Sequence, residues 1–211
     1  MYKLYWNPGM ANLAPHMALE AIGVPYELIR VDTGAGEQHN EAYRRLNPTG
    51  RIPTLVHDDQ PLFETAAILL HLADRHPEAA LMPAPGTRDR ALAYQWLIHL
   101  TNTVQATYLA YYYPERQVAD PALAGSVRQA AETRLGEMFD LLEQALDGRE
   151  WMVGEGPTIV DLMLLMMIRW GRNFARPPRS LPNLGVLAAR IAALPPVRRA
   201  FEQEGLAQPW Y

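Results

Sequence analysis

Two short blocks hold the residue types best placed to do chemistry: Asn47-Pro48-Thr49-Gly50-Arg51-Ile52-Pro53-Thr54-Leu55 and Leu62-Phe63-Glu64-Thr65-Ala66-Ala67-Ile68. Pro53 stands at the mouth of a strand, where an X–Pro bond takes the cis form at small cost and the turn leaves the preceding residue's N–H and C=O unpaired. Ile52 then offers a free strand edge to a peptide-like ligand, which binds by adding itself as a short strand. Thr65 falls in the first turn of the helix that follows. Unpaired N–H groups and the helix dipole favour a carboxylate there, and Glu64 beside it can hold an ammonium group. Together these features would recognise a γ-glutamyl peptide at both its α-amino and α-carboxyl groups. An ordinary hairpin followed by a capped helix accounts for the same residues without a ligand.

The chain has 211 residues and no cysteine. It therefore has no disulfide framework, no thiolate metal site and no cysteine nucleophile of its own, and any sulfur chemistry must arrive with a ligand. A hydrophobic fraction of 49% with 20% charged residues excludes disordered and fibrous classes. Nineteen Lys and Arg against 23 Asp and Glu give a net charge of −4, which argues against a nucleic-acid partner. The opening Met1-Tyr2-Lys3-Leu4-Tyr5-Trp6 has no basic end followed by a long apolar core, so it does not read as a signal peptide. The longest apolar run, residues 162–168, is far short of the roughly 18–20 residues of a membrane span. A cytoplasmic protein without membrane contact is the expectation.

The elements that must position those blocks follow from hydrophobic period. Residues 3–6 and 26–31 read as strands around a helix over 13–22, which Gly23 stops. A short helix over 41–46 precedes two strands, 53–57 and 62–63, joined by Asp58-Asp59-Gln60-Pro61, and a helix spans 64–76. The order is βαβ, a hairpin, then a helix: an α/β domain over residues 1–78. A linker over 79–86 carries two prolines and a glycine, and residues 87–211 read as all-helical. Leu92, Trp96, Leu100, Val104, Tyr108 and Tyr112 recur every four residues. Ala131, Leu135, Met138, Leu142 and Leu146 make a second stripe. Residues 158–174 are apolar nearly all round and form the central buried helix, with Thr158-x-x-Asp161 as the cap that sets its start. Residues 183–194 and 196–204 supply two shorter helices.

In order and spacing, the two blocks together with Leu72-Ala73-Asp74-Arg75 resemble the glutathione-binding half of the glutathione transferases. The opening Leu4-Tyr5-Trp6-Asn7-Pro8-Gly9-Met10-Ala11-Asn12-Leu13-Ala14-Pro15-His16 is most similar to the bacterial beta class. The likeness continues through Trp151-Met152-Val153-Gly154, Pro157-Thr158-Ile159-Val160-Asp161 and Ile168-Arg169-Trp170, and so spans nearly the whole chain. The resemblance implies a thioredoxin-like N-terminal domain, an all-helical C-terminal domain and a homodimer. It also implies glutathione as co-substrate, no metal and a role in detoxification.

Beta-class enzymes usually carry a cysteine where this chain has Ala11, and often a histidine where it has Gln105. A lysine common in the loop after the second strand is replaced by Thr33-Gly34-Ala35-Gly36-Glu37. Something else must then stabilise the glutathione thiolate. The Asn12 amide and the backbone N–H groups of Ala11 and Asn12 are nearest, because helix N-termini lower thiol pKa values. Asn12 serves equally as a simple helix cap, and Tyr5 on the first strand is either a thiol partner or packing. Arg51 either pairs with the glycine carboxylate or is a solvated surface residue, and His16 reads as structural. Ile52, Pro53, Glu64 and Thr65 complete the glutathione-binding set. Tyr108, Tyr111, Tyr112 and Trp170 could wall a pocket for a small apolar electrophile, with Arg116 and Arg169 adding charge, although some of these aromatics must be core. The function implied is a transferase that activates the glutathione thiolate for attack on such electrophiles. Two alternatives stay open: a glutathione-dependent peroxidase or disulfide reductase, and a non-catalytic glutathione-binding or stress-adaptor protein.

Overall fold

Strand β1 (Tyr2–Trp6) turns Tyr2 and Leu4 inward and leaves Lys3 and Tyr5 partly open, the alternation of a strand covered more fully on one face. The chain passes through a turn into helix α1 (Leu13–Ile22), which Gly23 ends at φ 77° with its N–H on the Leu19 carbonyl. Strand β2 (Tyr26–Arg30) returns parallel to β1, with Tyr2 opposite Tyr26 and Trp6 opposite Arg30. After the short helix α2 (Glu41–Leu46), strands β3 (Thr54–His57) and β4 (Gln60–Phe63) make a hairpin, and β3 lies antiparallel to β1. The sheet order is β2-β1-β3-β4, and helix α3 (Thr65–Arg75) follows it. This is the βαβ-hairpin-helix order read from the sequence and the thioredoxin-like arrangement that the resemblance to the glutathione transferases implies. The computed structural model describes all residues from Met1 to Tyr211.

The helical part runs through α4 (Arg88–His99), a π-helical stretch over Leu100–Gln105 and α5 (Ala106–Tyr112). Helices α6 (Ala124–Ala145), α7 (Ile159–Trp170), α8 (Pro182–Ala192) and α9 (Pro195–Gln203) follow. The every-fourth-residue stripe holds only in its middle. Ala93, Leu97, Leu100, Val104 and Tyr108 are the buried positions, whereas Leu92 and Trp96 are half-buried and Tyr112 is exposed. A spacing of four overshoots the 3.6-residue α-turn, so a stripe so spaced drifts around an α-helix. The wider π turns keep it in phase where they occur. On α6 the buried set is Ala131, Leu135, Phe139 and Leu142, so Phe139 takes the place expected for Met138. Helix α7 is buried from Ile159 to Arg169, as its all-round apolar sequence predicts, but it ends at Trp170 rather than at Phe174. Its capping box is complete. Thr158 Oγ1 accepts from the Val160 N–H at 3.3 Å, and Asp161 Oδ2 accepts from the Thr158 N–H at 2.8 Å.

The chain divides into two compact units. One is Met1–Met82 with Ile191–Trp210, and the other is Pro83–Arg190 with Tyr211. The sequence assigns everything from 87 onward to the helical half. The structure corrects this, because the end of the chain packs with the first unit. Val197, Ala200 and Phe201 of α9 are buried, and α9 lies along α1. The Arg199 guanidinium donates to Glu20 on α1 at 2.6 Å.

Candidate glutathione site and aromatic cluster

At the mouth of β3 the Ile52–Pro53 peptide is cis. The turn before it is built from buried polar groups. Tyr43 Oη donates to the Arg51 carbonyl at 2.7 Å, and Asn47 Nδ2 donates to the same oxygen at 2.8 Å. Asn47 Oδ1 accepts from the Thr49 N–H and hydroxyl. Gly50 completes the turn at φ +63°, where an added Cβ would lie 3.0 Å from His39 Nδ1 and 3.2 Å from the Gln38 carbonyl, so only glycine fits. With the Arg51 carbonyl fixed by two donors, the Ile52 N–H and C=O are left without a partner in the chain. Arg51 itself is exposed. Burial pushes the Tyr43 hydroxyl pKa up, which keeps it a neutral donor.

Opposite this turn, α3 begins without a side-chain cap. Glu64 precedes it at φ +72°, a left-handed conformation that a non-glycine residue adopts only under constraint and that concentrates at functional positions. The Glu64 side chain is exposed, and its carbonyl accepts the first helical bond, from the Ile68 N–H at 2.9 Å. The N–H groups of Thr65, Ala66 and Ala67 remain open, as the start of an uncapped helix must leave them. Thr65 is 3% exposed, and its hydroxyl donates to the Ala11 carbonyl at 3.0 Å. The hydroxyl proton is thus engaged inside the fold, tying α3 to the turn before α1, and the open donors at this end are backbone ones.

That turn supplies a second set. The N–H groups of Ala11 and Asn12 have no partner in the chain. The Asn12 side chain does not point the way either sequence reading would have it. It is fully buried and makes no cap bond. Its amide donates to Glu204 Oε1 at 2.8 Å, and its Oδ1 accepts from the Asn7 N–H at 3.1 Å. Glu204, also buried, accepts in addition from the Gly9 N–H at 2.8 Å and from His16 Nδ1 at 3.0 Å. The carboxylate from the end of α9 therefore fastens the turn from Gly9 to Asn12. His16 is structural, with its Nε2 bonded to Gln203 and Tyr26. Tyr5 lies half-buried on β1, edge-on to the Tyr43 ring at 5.8 Å. Glu204 and Tyr43 are what sequence reasoning missed; Tyr43 at least lies only a few residues before the Asn47 block, whereas nothing in the sequence near Glu204 marks it.

Within the second unit the four predicted aromatics part company. Tyr108 is core. It is 1% exposed, donates to the Met167 carbonyl at 2.7 Å and is ringed by Tyr112, Phe139, Trp170 and Phe174. Its hydroxyl would sit 2.8 Å from a Cβ at position 171, one reason Gly171 follows α7. It offers no surface to an electrophile. Tyr112 is 41% exposed and donates to the Trp170 carbonyl at 2.6 Å, while Tyr111 and Trp170 are half-buried. Gln105 accepts from the Thr101 hydroxyl within the π-helical stretch. Arg169 is buried on α7, and Arg116 lies over the Tyr113 ring at 4.1 Å.

Comparison with known proteins decides the family. Residues 1–74 match the glutathione S-transferase N-terminal domain and residues 105–195 its C-terminal domain. The chain is 31% identical to glutathione S-transferase GST-4.5 of Xanthomonas campestris, over 97% of this chain and 99% of the relative. The chain belongs to the glutathione S-transferase family. Among solved structures it superposes on the bacterial beta-class enzyme of Sphingomonas chungbukensis with a TM-score of 0.85 at 30% identity, covering 97% and 100% of the two chains. A sphingomonad glutathione S-transferase solved with glutathione gives the same TM-score at 31% identity and the same coverage. This transferase thus shares the beta-class fold along nearly its full length, without a cysteine. None of its helices is long and apolar enough to cross a membrane.

Proposed function

We propose that this transferase binds glutathione in the first unit and joins it, through its sulfur, to small apolar electrophiles. The peptide lies along Ile52, which pairs with it as one strand pairs with another. The γ-glutamyl carboxylate sits on the open N–H groups of Thr65, Ala66 and Ala67, and Glu64 takes the ammonium. The N–H groups of Ala11 and Asn12 stabilise the thiolate, lowering a thiol pKa that is otherwise about 8.5. The sulfur then attacks the electrophilic carbon, the C–S bond forms, the leaving group departs with its electron pair and the thiol proton goes to solvent. The observation that carries this reading is that three sets of unpaired backbone groups, at Ile52, at the start of α3 and at Ala11 and Asn12, are all held by buried side-chain hydrogen bonds. The Asn12 amide acts in this scheme through Glu204, as a strut for the turn.

The enzyme works as a cytoplasmic homodimer in detoxification. Sedimentation should give about twice the 23.8 kDa chain mass, and the monomer mass at micromolar concentration would count against the dimer. Rates with a chloro-nitroaromatic, a hydroperoxide and hydroxyethyl disulfide, each with glutathione, test the chemistry. Conjugation should be the fastest. Glutathione binding with no turnover of any of the three overturns the transferase reading in favour of a binding protein.

A further inference from the structure

We infer that the first unit carries a site for a divalent transition-metal ion that favours imidazole, such as zinc, built from His57 at the end of β3 and His71 on α3. His57 Nδ1 and His71 Nε2 face each other at 3.3 Å, with the two ring centroids 5.4 Å apart and the rings tilted by 59°. Two imidazole nitrogens bound to one tetrahedral ion at about 2.0–2.1 Å stand about 3.3–3.4 Å from each other, so the pair already has the spacing of two ligands. In the free protein these two atoms share one proton in a hydrogen bond. An ion between them takes a lone pair from each, and His71 then carries its proton on Nδ1. Both side chains are half-buried, which leaves the pair within reach of solvent.

The neighbours hold the two rings in position. His57 Nε2 lies 3.5 Å from Asp58 Oδ2, which favours the proton on Nε2 and turns the Nδ1 lone pair toward His71. A carboxylate behind a ligating imidazole plays the same part in metal sites generally. The Tyr2 ring stacks on His57 at 4.2 Å and meets His71 edge-on at 6.5 Å. Tyr2 is itself fixed, because its hydroxyl donates to His76 Nε2 at 3.0 Å. His76 is engaged on both sides, with its Nδ1 on Glu78 Oε1 at 3.1 Å, so it supports the pair and is not a ligand. No third histidine or acid closes the set. Water takes the remaining positions, and the ion is an exchangeable fastener between β3 and α3. The site stands at the opposite end of β3 from the Ile52–Pro53 turn and does not rest on the glutathione reading.

The test is calorimetric titration of the full-length protein with zinc, in the absence of glutathione, whose thiol would compete for the ion. One ion should bind per chain, and magnesium, which prefers oxygen ligands, should give no binding heat. His57→Gln and His71→Gln should each abolish the zinc binding, whereas His39→Gln, at an exposed histidine outside the pair, should leave it unchanged. Zinc should raise the unfolding midpoint of the parent protein and of neither glutamine variant at the pair. A second measurement needs no variant: in imidazole nitrogen spectra of the parent, zinc should move His57 Nδ1 and His71 Nε2 and leave both nitrogens of His76 in place. A parent protein that binds no zinc, binding that survives either substitution at the pair, or zinc shifts at other nitrogens instead overturns the inference.

Discussion

Two helix N-termini in this protein solve the same problem in opposite ways. Helix α7 begins with a complete capping box, and Asp161 takes a further bond from the Met152 N–H at 2.9 Å. Burial raises the Asp161 pKa against the hydrogen bonds from Met152 and Thr158 that lower it. Helix α3 begins with no side-chain cap, a left-handed glutamate and three open N–H groups. The first terminus serves folding, since an apolar buried helix needs its start fixed. The second leaves donors available and holds them rigidly through Thr65. On the proposed reading, glutathione is held where local satisfaction is withheld.

The largest way to break the comparison is at the closed terminus. Asp161→Ala strands the Met152 N–H, the Thr158 N–H and the Thr158 hydroxyl in a buried setting, which should cost about 3 kcal/mol or more in denaturant unfolding. The folded fraction should still bind glutathione with parent affinity. At the open terminus, Thr65→Ala removes the tie to Ala11 but none of the N–H donors. A neutral hydrogen bond of about 0.5–1.5 kcal/mol translates into an about two- to twelvefold weaker glutathione affinity by calorimetry. Abolished binding would show that the hydroxyl itself holds the carboxylate.

Glu64→Gly sharpens the contrast, because its two effects have opposite sign. Relief of the φ +72° conformation should raise stability by about 1 kcal/mol, while loss of the ammonium partner should weaken glutathione severalfold. The smallest effect touches neither terminus. Burial lowers the pKa of His71 and of His99, and for His71 the neighbouring His57 adds to this. The unfolded chain, with imidazole pKa values near 6.5, then binds protons more readily than the native one. Stability should therefore fall as the pH drops below about 6.5 and be recovered on raising it. His99→Leu should flatten part of that slope in unfolding midpoints measured against pH.

What was legible in the sequence is what is settled over a few residues. Thr158 and Asp161 are three apart, so the capping box could be read directly, and the βαβ-hairpin-helix order followed from period and turn residues. The partners of Asn12 could not be read, because Glu204 is 192 positions away and only the packing of α9 on α1 brings it there. Tyr108 misled for a related reason. An aromatic at helical spacing looks the same whether it lines a pocket or fills a core, and only its bond to Met167 and its surrounding rings decide. The stripe misses the buried face of α4 by one residue, because a four-residue spacing drifts on the 3.6-residue α-turn and stays in phase only through the π-helical stretch.

The central claim is that open backbone donors hold glutathione, and amide chemical shifts on titration with glutathione test it most directly. The account predicts large shifts at Ala11, Asn12, Ile52, Thr65 and Ala66, and none at Met152, Thr158 or Val160. Substituting S-methylglutathione should silence only the shifts at Ala11 and Asn12. Amides of Thr65, Ala66 and Ile52 that stay unmoved at saturating glutathione would contradict it.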